Sequence, residues 1–228
     1  MLDELVRLLL PAESRDTVSG DLLEEYREGR LPAVGPLRAQ AWYLRQAAGI
    51  FLRAYGWFVV PLVLWLVVHD VANTFRDATG TPYLDGAPGV AGLALGSGVL
   101  LTVSAYGSRR TGRWGGGLVA ALGTVVVVWM FMAVWWMVTL YPFAQYQQTN
   151  PYWIQAWHWS THRPNQPVVF GWNPDTPDES FLRWIFWDNV GALFFAGLAM
   201  STLSLVCGTI GGTIGRYATS ARPKFPMM

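Results

Sequence analysis

Cysteine occurs once in the 228 residues, as Cys207. A lone cysteine excludes an intramolecular disulfide and a cysteine-based metal cluster. Charge is scarce as well: Asp, Glu, Lys and Arg make up only 14% of the chain. No Gly-x-x-x-x-Gly-Lys-Ser/Thr phosphate loop is present, so the chain is not itself an ATPase of that class. No Gly-x-Ser-x-Gly elbow occurs either, which removes the corresponding serine-nucleophile chemistry. Ionisable residues in the apolar stretches are confined to His69, Asp70 and Asp188, all near stretch ends. A relay of carboxylates through a bilayer is therefore missing. An Asp70–His69 pair facing Asp188 is the one polar constellation there, and interfacial solvation is its ordinary reading.

What the chain has in abundance is apolar surface, with 52% hydrophobic residues and 13 Trp. Four runs stand out, at about 54–71, 88–106, 116–141 and 187–215. Each approaches or exceeds the ~20 residues with which a helix crosses ~30 Å of hydrocarbon. The expected fold class is an all-α integral membrane protein: four transmembrane helices with a small cytoplasmic N-terminal helical module. The expected division is a prefix module over 1–50 and a four-span bundle over 51–228, with an outer aromatic loop at 142–186.

Arginine placement orients this arrangement. Arg7, Arg15, Arg27, Arg30, Arg38, Arg45 and Arg53 precede the first run; Arg109, Arg110 and Arg113 lie between the second and third; Arg216, Arg222 and Lys224 follow the fourth. The alternate loops hold only Arg76, Arg163 and Arg183. Basic residues near span ends are retained in the cytoplasm, so both termini are expected there, and the loops near 72–87 and 142–186 on the opposite side. The formal net charge of +1 gives no reason to expect a nucleic-acid partner.

The first residues do not read as a signal peptide, because Asp3 and Glu4 stand where a basic region belongs and the run Leu8–Leu10 stops at Pro11. They read as helices. Leu2, Leu5, Val6 and Leu9 have helical spacing before Pro11. A second helix over 14–28 sets Val18, Leu22 and Tyr26 on one stripe, with Glu24, Glu25 and Glu28 toward water and Gly29 and Pro32 closing it. A third segment starts near Pro36, a favourable first position, and runs through Trp42 and Tyr43 into the first span. The acidic face is expected to approach the arginines of the 109–113 turn through exposed pairs.

Gly20–Tyr26, reading Gly-Asp-Leu-x-Glu-Glu-Tyr, together with Trp42–Gln46, reading Trp-Tyr-x-x-Gln, resembles the permease prefix domain that precedes the first membrane helix of many bacterial ABC-transporter permeases. The resemblance covers about the first fifth of the chain. It implies a module that engages cytoplasmic or same-membrane partners. The body departs from those permeases, which carry a large periplasmic domain between their first two spans, where this chain has a short, turn-rich connection with Gly80, Pro82 and Gly86.

Small residues mark close helix packing. Gly208 with Gly212 and Gly211 with Gly215 give two small-xxx-small pairs in the fourth run, and Gly92 with Gly96 another in the second. They serve the chain's own bundle or a homo- or hetero-oligomer. In the outer loop, Trp153, Trp157, Trp159, Trp172 and Trp184 alternate with prolines, a pattern of short turns under an aromatic interfacial cap. Candidate outer-face ligand contacts are Trp153, Trp157, His158 and His162. The two histidines at i and i+4 lack an assured third ligand and the adjacent Glu of a metalloprotease helix, so no metal site is assigned.

The functional expectation is a non-enzymatic membrane accessory or regulatory subunit, associated with an ABC-type transport system. Its candidate partner-binding residues are Leu22, Glu24, Tyr26 and Glu28. The alternative is a small transporter or ligand sensor using the Trp-rich loop. No catalytic residue, cofactor or metal is assigned.

Overall fold

Proline and glycine punctuate the N-terminal end, and the helices form between them. The computed structural model describes residues 2–75, 86–154, 157 and 181–220. Helix α1 covers Leu2–Leu9 and stops before Pro11. Helix α2 covers Arg15–Glu24, continues as a π-helix over Glu25–Arg30, and tightens again to α3, Leu31–Val34. Gly29 and Pro32 thus do not end the second helix as expected. Pro32 falls in the first turn of α3, where the missing N–H and fixed φ are tolerated. The chain breaks instead at Gly35, whose φ of 79° is open to a residue without Cβ.

From Pro36 the backbone is helical without interruption to Thr74, forming α4 with Pro61 inside it. Three more long helices follow: α5 (Gly86–Thr111), α6 (Trp114–Gln147) and α7 (Phe181–Ser220). Among the described residues, four helices are long and apolar enough to cross a membrane. Even α5, at 26 residues, is roughly 39 Å long at 1.5 Å per residue. Two boundaries differ from the sequence expectation. Helix α6 runs through Pro142 to Gln147, and Trp184 belongs to α7 rather than to a loop. The described residues are almost entirely helical.

The contacts divide into two units, each drawing on all four long helices: one holds 1–61, 95–127 and 201–228, the other 62–94 and 128–200. In the first, α5, α6 and α7 meet through small residues. A Cβ placed on Gly211 would lie 2.5 Å from Leu101 O, and one on Gly117 2.5 Å from Ser104 O. Ser104, Ser108, Thr124 and Ser204 are completely buried there. Their hydroxyls are satisfied by backbone carbonyls, with Ser104 Oγ donating to Gly208 O at 2.8 Å and Thr124 Oγ1 to Ala120 O at 2.8 Å. Such pairing removes the cost of burying a hydroxyl.

In the second unit the packing is aromatic. Ala144, Phe181, Trp184 and Ile185 form a buried cluster, with Leu140, Trp153 and Trp157 packed against it. Phe75 meets Phe143 and Tyr146 with centroid distances of 6.0 and 4.7 Å. Edge-to-face contacts such as Trp157–Phe181, at 88° between ring planes, match the preference set by the ring quadrupole.

Candidate functional site

The first unit contains the feature with the clearest interaction chemistry, the N-terminal module seated on the α5–α6 turn. That turn is tightly made. Thr111 Oγ1 donates to Gly107 O at 2.8 Å and accepts from Arg113 N at 3.3 Å, while Gly112 takes a φ of 66°. The result leaves Thr111 O available to an incoming donor.

Arg15 is that donor. Its Nη2 reaches Thr111 O at 2.6 Å and Leu10 O at 3.5 Å, and its Nε reaches Arg7 O at 2.9 Å. The residue is 8% exposed. A guanidinium directs several N–H groups from one rigid plane, so a single side chain ties the end of α1, the start of α2 and the α5–α6 turn together. Burial pulls the Arg15 pKa down from its ordinary value, and nearby Arg113 pulls it further; an arginine nonetheless stays charged in a protein. Leu8 completes the seat, its Cδ2 lying 3.3 Å from where a Cβ of Gly115 would stand.

The stripe inferred from the sequence packs inside the module. Val6, Leu10 and Tyr43 form a buried core, and Val18, Leu22, Tyr26, Trp42, Ala47 and Ile50 pack on it. Tyr26 meets Tyr43 at 5.6 Å with ring planes at 75°. Leu22 and Tyr26 are thus half-buried against this chain. The π-helical stretch brings residues five apart onto one face, since its hydrogen bonds span i to i+5. Arg30 consequently pairs with Glu25 at 3.0 Å and lies 5.1 Å over the Trp42 ring.

Glu24 and Glu28 are exposed. The expected docking of the acidic face on the 109–113 arginines is replaced by the Arg15 contact to Thr111 O, and Glu25 is occupied by Arg30. The signal missed in the sequence was Arg15 itself, read only as a topogenic charge. Leu31, Val34, Leu37 and Leu44 are exposed large apolar side chains on or next to the module, Leu37 at 81%.

The other candidate residues are placed as follows. Gly208 lies against Leu118, Gly211 against Leu101 and Ser104, Gly212 against Trp114, and Gly215 against Ala105. These glycines seat α7 on α5 and α6 of the same chain. Gly92 lies under Trp65, and Gly96 is buried. Trp153 donates from its indole to Thr74 O at 3.2 Å, and Trp157 packs with Phe181. His158 and His162 lie outside the described residues. Asp70 accepts from Trp135 Nε1 at 2.8 Å, His69 stacks on Trp65, and Asp188 is exposed. Among the described residues no group of three His, Cys, Asp or Glu side chains is placed to hold a metal. No protein-family model, curated protein or solved structure matches the chain.

Proposed function

We propose that this chain is a multi-pass protein of the bacterial cytoplasmic membrane, a non-enzymatic accessory or regulatory subunit that engages a partner through its N-terminal module. Insertion is supported by the outward faces of the long helices. Trp57, Val60, Leu64 and Val68 form an exposed stripe on α4, Met130, Val134 and Met137 another on α6, and Phe194, Leu198, Leu205 and Ile210 lie exposed along α7. Apolar stripes of this length are matched by acyl chains and not by water. The arginine distribution supports cytoplasmic termini.

One observation carries the accessory role: the module divides its surface. Its own apolar stripe and Arg15 are used in seating it on this chain. Glu24, Glu28 and the apolar side chains of Leu31, Val34 and Leu37 remain exposed. That combination suits a protein partner offering basic and apolar side chains. The permease-prefix resemblance over Gly20–Tyr26 and Trp42–Gln46 supports a membrane transport complex of the ABC type as the setting. The alternative, a small transporter or ligand sensor using the Trp-rich loop, gains no support from Trp153 and Trp157, whose rings are engaged in packing.

Two experiments test this. In a Cys207→Ser background, Glu28→Cys should resist an impermeant thiol reagent in intact cells and Asn165→Cys should react; the reverse pattern would overturn the orientation. A photo-crosslinking residue at position 37 or 28 should capture one and the same protein, while one at position 18 should not. Capture from all three positions, or from none, would refute the divided surface.

A further inference from the structure

Helix α4, at 39 residues, is longer than the ~20 residues a span requires, and the excess lies at its N-terminal end. Tyr55 meets Tyr106 at 6.0 Å, and Trp65 covers Gly92, so α4 and α5 run in opposite directions. Five residues beyond Tyr106, α5 ends at Thr111, which sets the α5–α6 turn near Ile50 of α4. Residues 36–49 therefore project roughly 21 Å past that turn, at about 1.5 Å per residue. Where the four helices span a bilayer, Arg109, Arg110 and Arg113 put the turn at headgroup level. The headgroup layer is roughly 5–8 Å deep. Leu44, about 9 Å past the turn, and Leu37, about 20 Å past it, thus stand clear of acyl chains.

This projection has two faces. Tyr43 and Ile50 turn one toward the N-terminal module. Leu37, Ala41, Leu44 and Ala48 are exposed, and at about 3.6 residues per turn they share an arc of roughly 60° on the other. Their spacing of four, three and four residues is that of an apolar coiled-coil seam, with leucine and alanine alternating. The leucines supply knobs, and the alanines leave room for those of a second helix. Arg38 and Arg45 each follow a seam leucine and edge the same side of the seam. Both are exposed and make no hydrogen bond or ion pair among the described residues. No Asp or Glu occurs between Glu28 and Asp70, so nothing along this helix offsets the positive edge.

The charge pattern chooses the occupant. A second copy is a poor match in either direction: in parallel register an uncharged Gln40 would stand beside Arg45, and in antiparallel register arginine would face arginine. The chain's own residues after Ser220 add Arg222 and Lys224 and no acidic side chain. We propose that residues 37–48 dock an amphipathic helix of a partner protein, its apolar stripe filling the Leu37–Ala41–Leu44–Ala48 seam and its flanking carboxylates pairing with Arg38 and Arg45. Flanking pairs of this kind set partner choice and orientation between helices. The proposal goes beyond the face assigned above. It asks for carboxylates where the Glu24 and Glu28 face asks for basic side chains, and Leu37 alone borders both.

The test uses the full-length chain in phosphatidylcholine nanodiscs, whose lipid carries no net charge. Two fluorescent four-heptad peptides are titrated, both with leucine at every a and d position, one with Glu and the other with Lys at every e and g position. The Glu peptide should bind at least tenfold tighter than the Lys peptide. Leu44→Gln and Arg45→Gln should each weaken it at least fivefold, with amide exchange in 2–34 unchanged as evidence that the module keeps its fold. Arg53→Gln, which removes the same charge beyond the seam, should change binding less than twofold. Glu24→Gln with Glu28→Gln should also leave it within twofold, so failure of the acidic face and failure of this one are distinguishable. Equal binding of the two peptides would reduce the effect to apolar adhesion and overturn the docking site. Equal losses in Arg45→Gln and Arg53→Gln would overturn it as diffuse attraction. If light scattering showed a dimer of the chain that Leu44→Gln dissociates, a second copy would occupy the seam and the proposal would fall. Protection of 37–48 in phosphatidylglycerol nanodiscs, with loss of peptide binding, would assign the face to the lipid surface instead.

Discussion

The two units use glycine differently, although Gly212 in the first also seats an indole, that of Trp114. In the first, Gly211 and Gly117 face backbone carbonyls of the next helix, so the missing side chain is what lets two backbones touch. In the second, Gly92 and Gly197 each face an indole, with Nε1 of Trp65 and of Trp129 2.8 Å from the position of an added Cβ. At Gly197 the missing side chain uncovers the carbonyl one turn back, and Trp129 Nε1 donates to Leu193 O at 3.2 Å. The first arrangement gains dispersion and short helix separation. The second gives a large amphipathic ring a fixed seat and satisfies its N–H. A backbone cannot move aside, whereas an indole can change rotamer, so the two kinds of glycine should differ in tolerance.

The sharpest test of that difference is Gly211→Leu. With Leu101 O at 2.5 Å and Ser104 Cβ at 2.9 Å from the first added carbon, α7 must be pushed off α5, at a cost of about 3 kcal/mol or more. Detergent-solubilised protein should lose its cooperative melting transition. Gly98→Ala, where nothing lies within 4 Å, should melt at or above the parental temperature, because alanine favours the helix. Equal losses in both variants would show that the glycine seam is not the source of stability.

Next in size is Arg15→Met, which removes the donors to Thr111 O and Arg7 O while keeping an apolar stem. Hydrogen bonds from a charged donor contribute about 1.5–3 kcal/mol. Amide exchange in 2–34 should accelerate by one to two orders of magnitude, with exchange in α6 unchanged. Uniform acceleration over both regions would mean that the module is not a separately opening element.

Gly197→Ala should cost less, about 1 kcal/mol, since Trp129 can swing away and forfeit only its bond to Leu193 O. A loss as large as that of Gly211→Leu would erase the distinction between the two seats. The smallest effect is one of pH. The Asp16 carboxyl is held below its usual pKa by the hydrogen bond from Arg7 Nη2 at 2.6 Å. A depressed folded-state pKa contributes stability above the ordinary aspartate range, lost as pH falls through the lower, folded value. Both partners are solvent-exposed, so module protection should be flat from pH 8 to 5 and decline slightly below about pH 4. Asp16→Asn should remove that decline.

Much of the architecture was legible because its signals are local. Pro36 begins α4 and Pro11 follows the end of α1, as fixed φ and a missing N–H dictate. The long apolar runs were unmistakable, and the glycines at 208, 211, 212 and 215 announced close packing. Other features depended on partners far along the chain or on balances that spacing does not reveal. Pro142 sits inside α6 although proline is more often a terminator, and the switch to π-helical bonding at Glu25 has no residue signature. Arg15 belongs to the same class. Nothing near it in sequence distinguishes it from the other N-terminal arginines, and its acceptor on Thr111 lies 96 residues away.

That separation sets an order of events in synthesis. Arg15 leaves the ribosome long before the carbonyl that will receive it exists; at roughly 5–20 residues per second the interval is about 5–20 s. Throughout it, the first helices can collapse on Tyr43, which follows soon after, but Arg15 has no Thr111 to hold. Seating of the module is therefore a late event in biogenesis, waiting on completion of α5 and its turn.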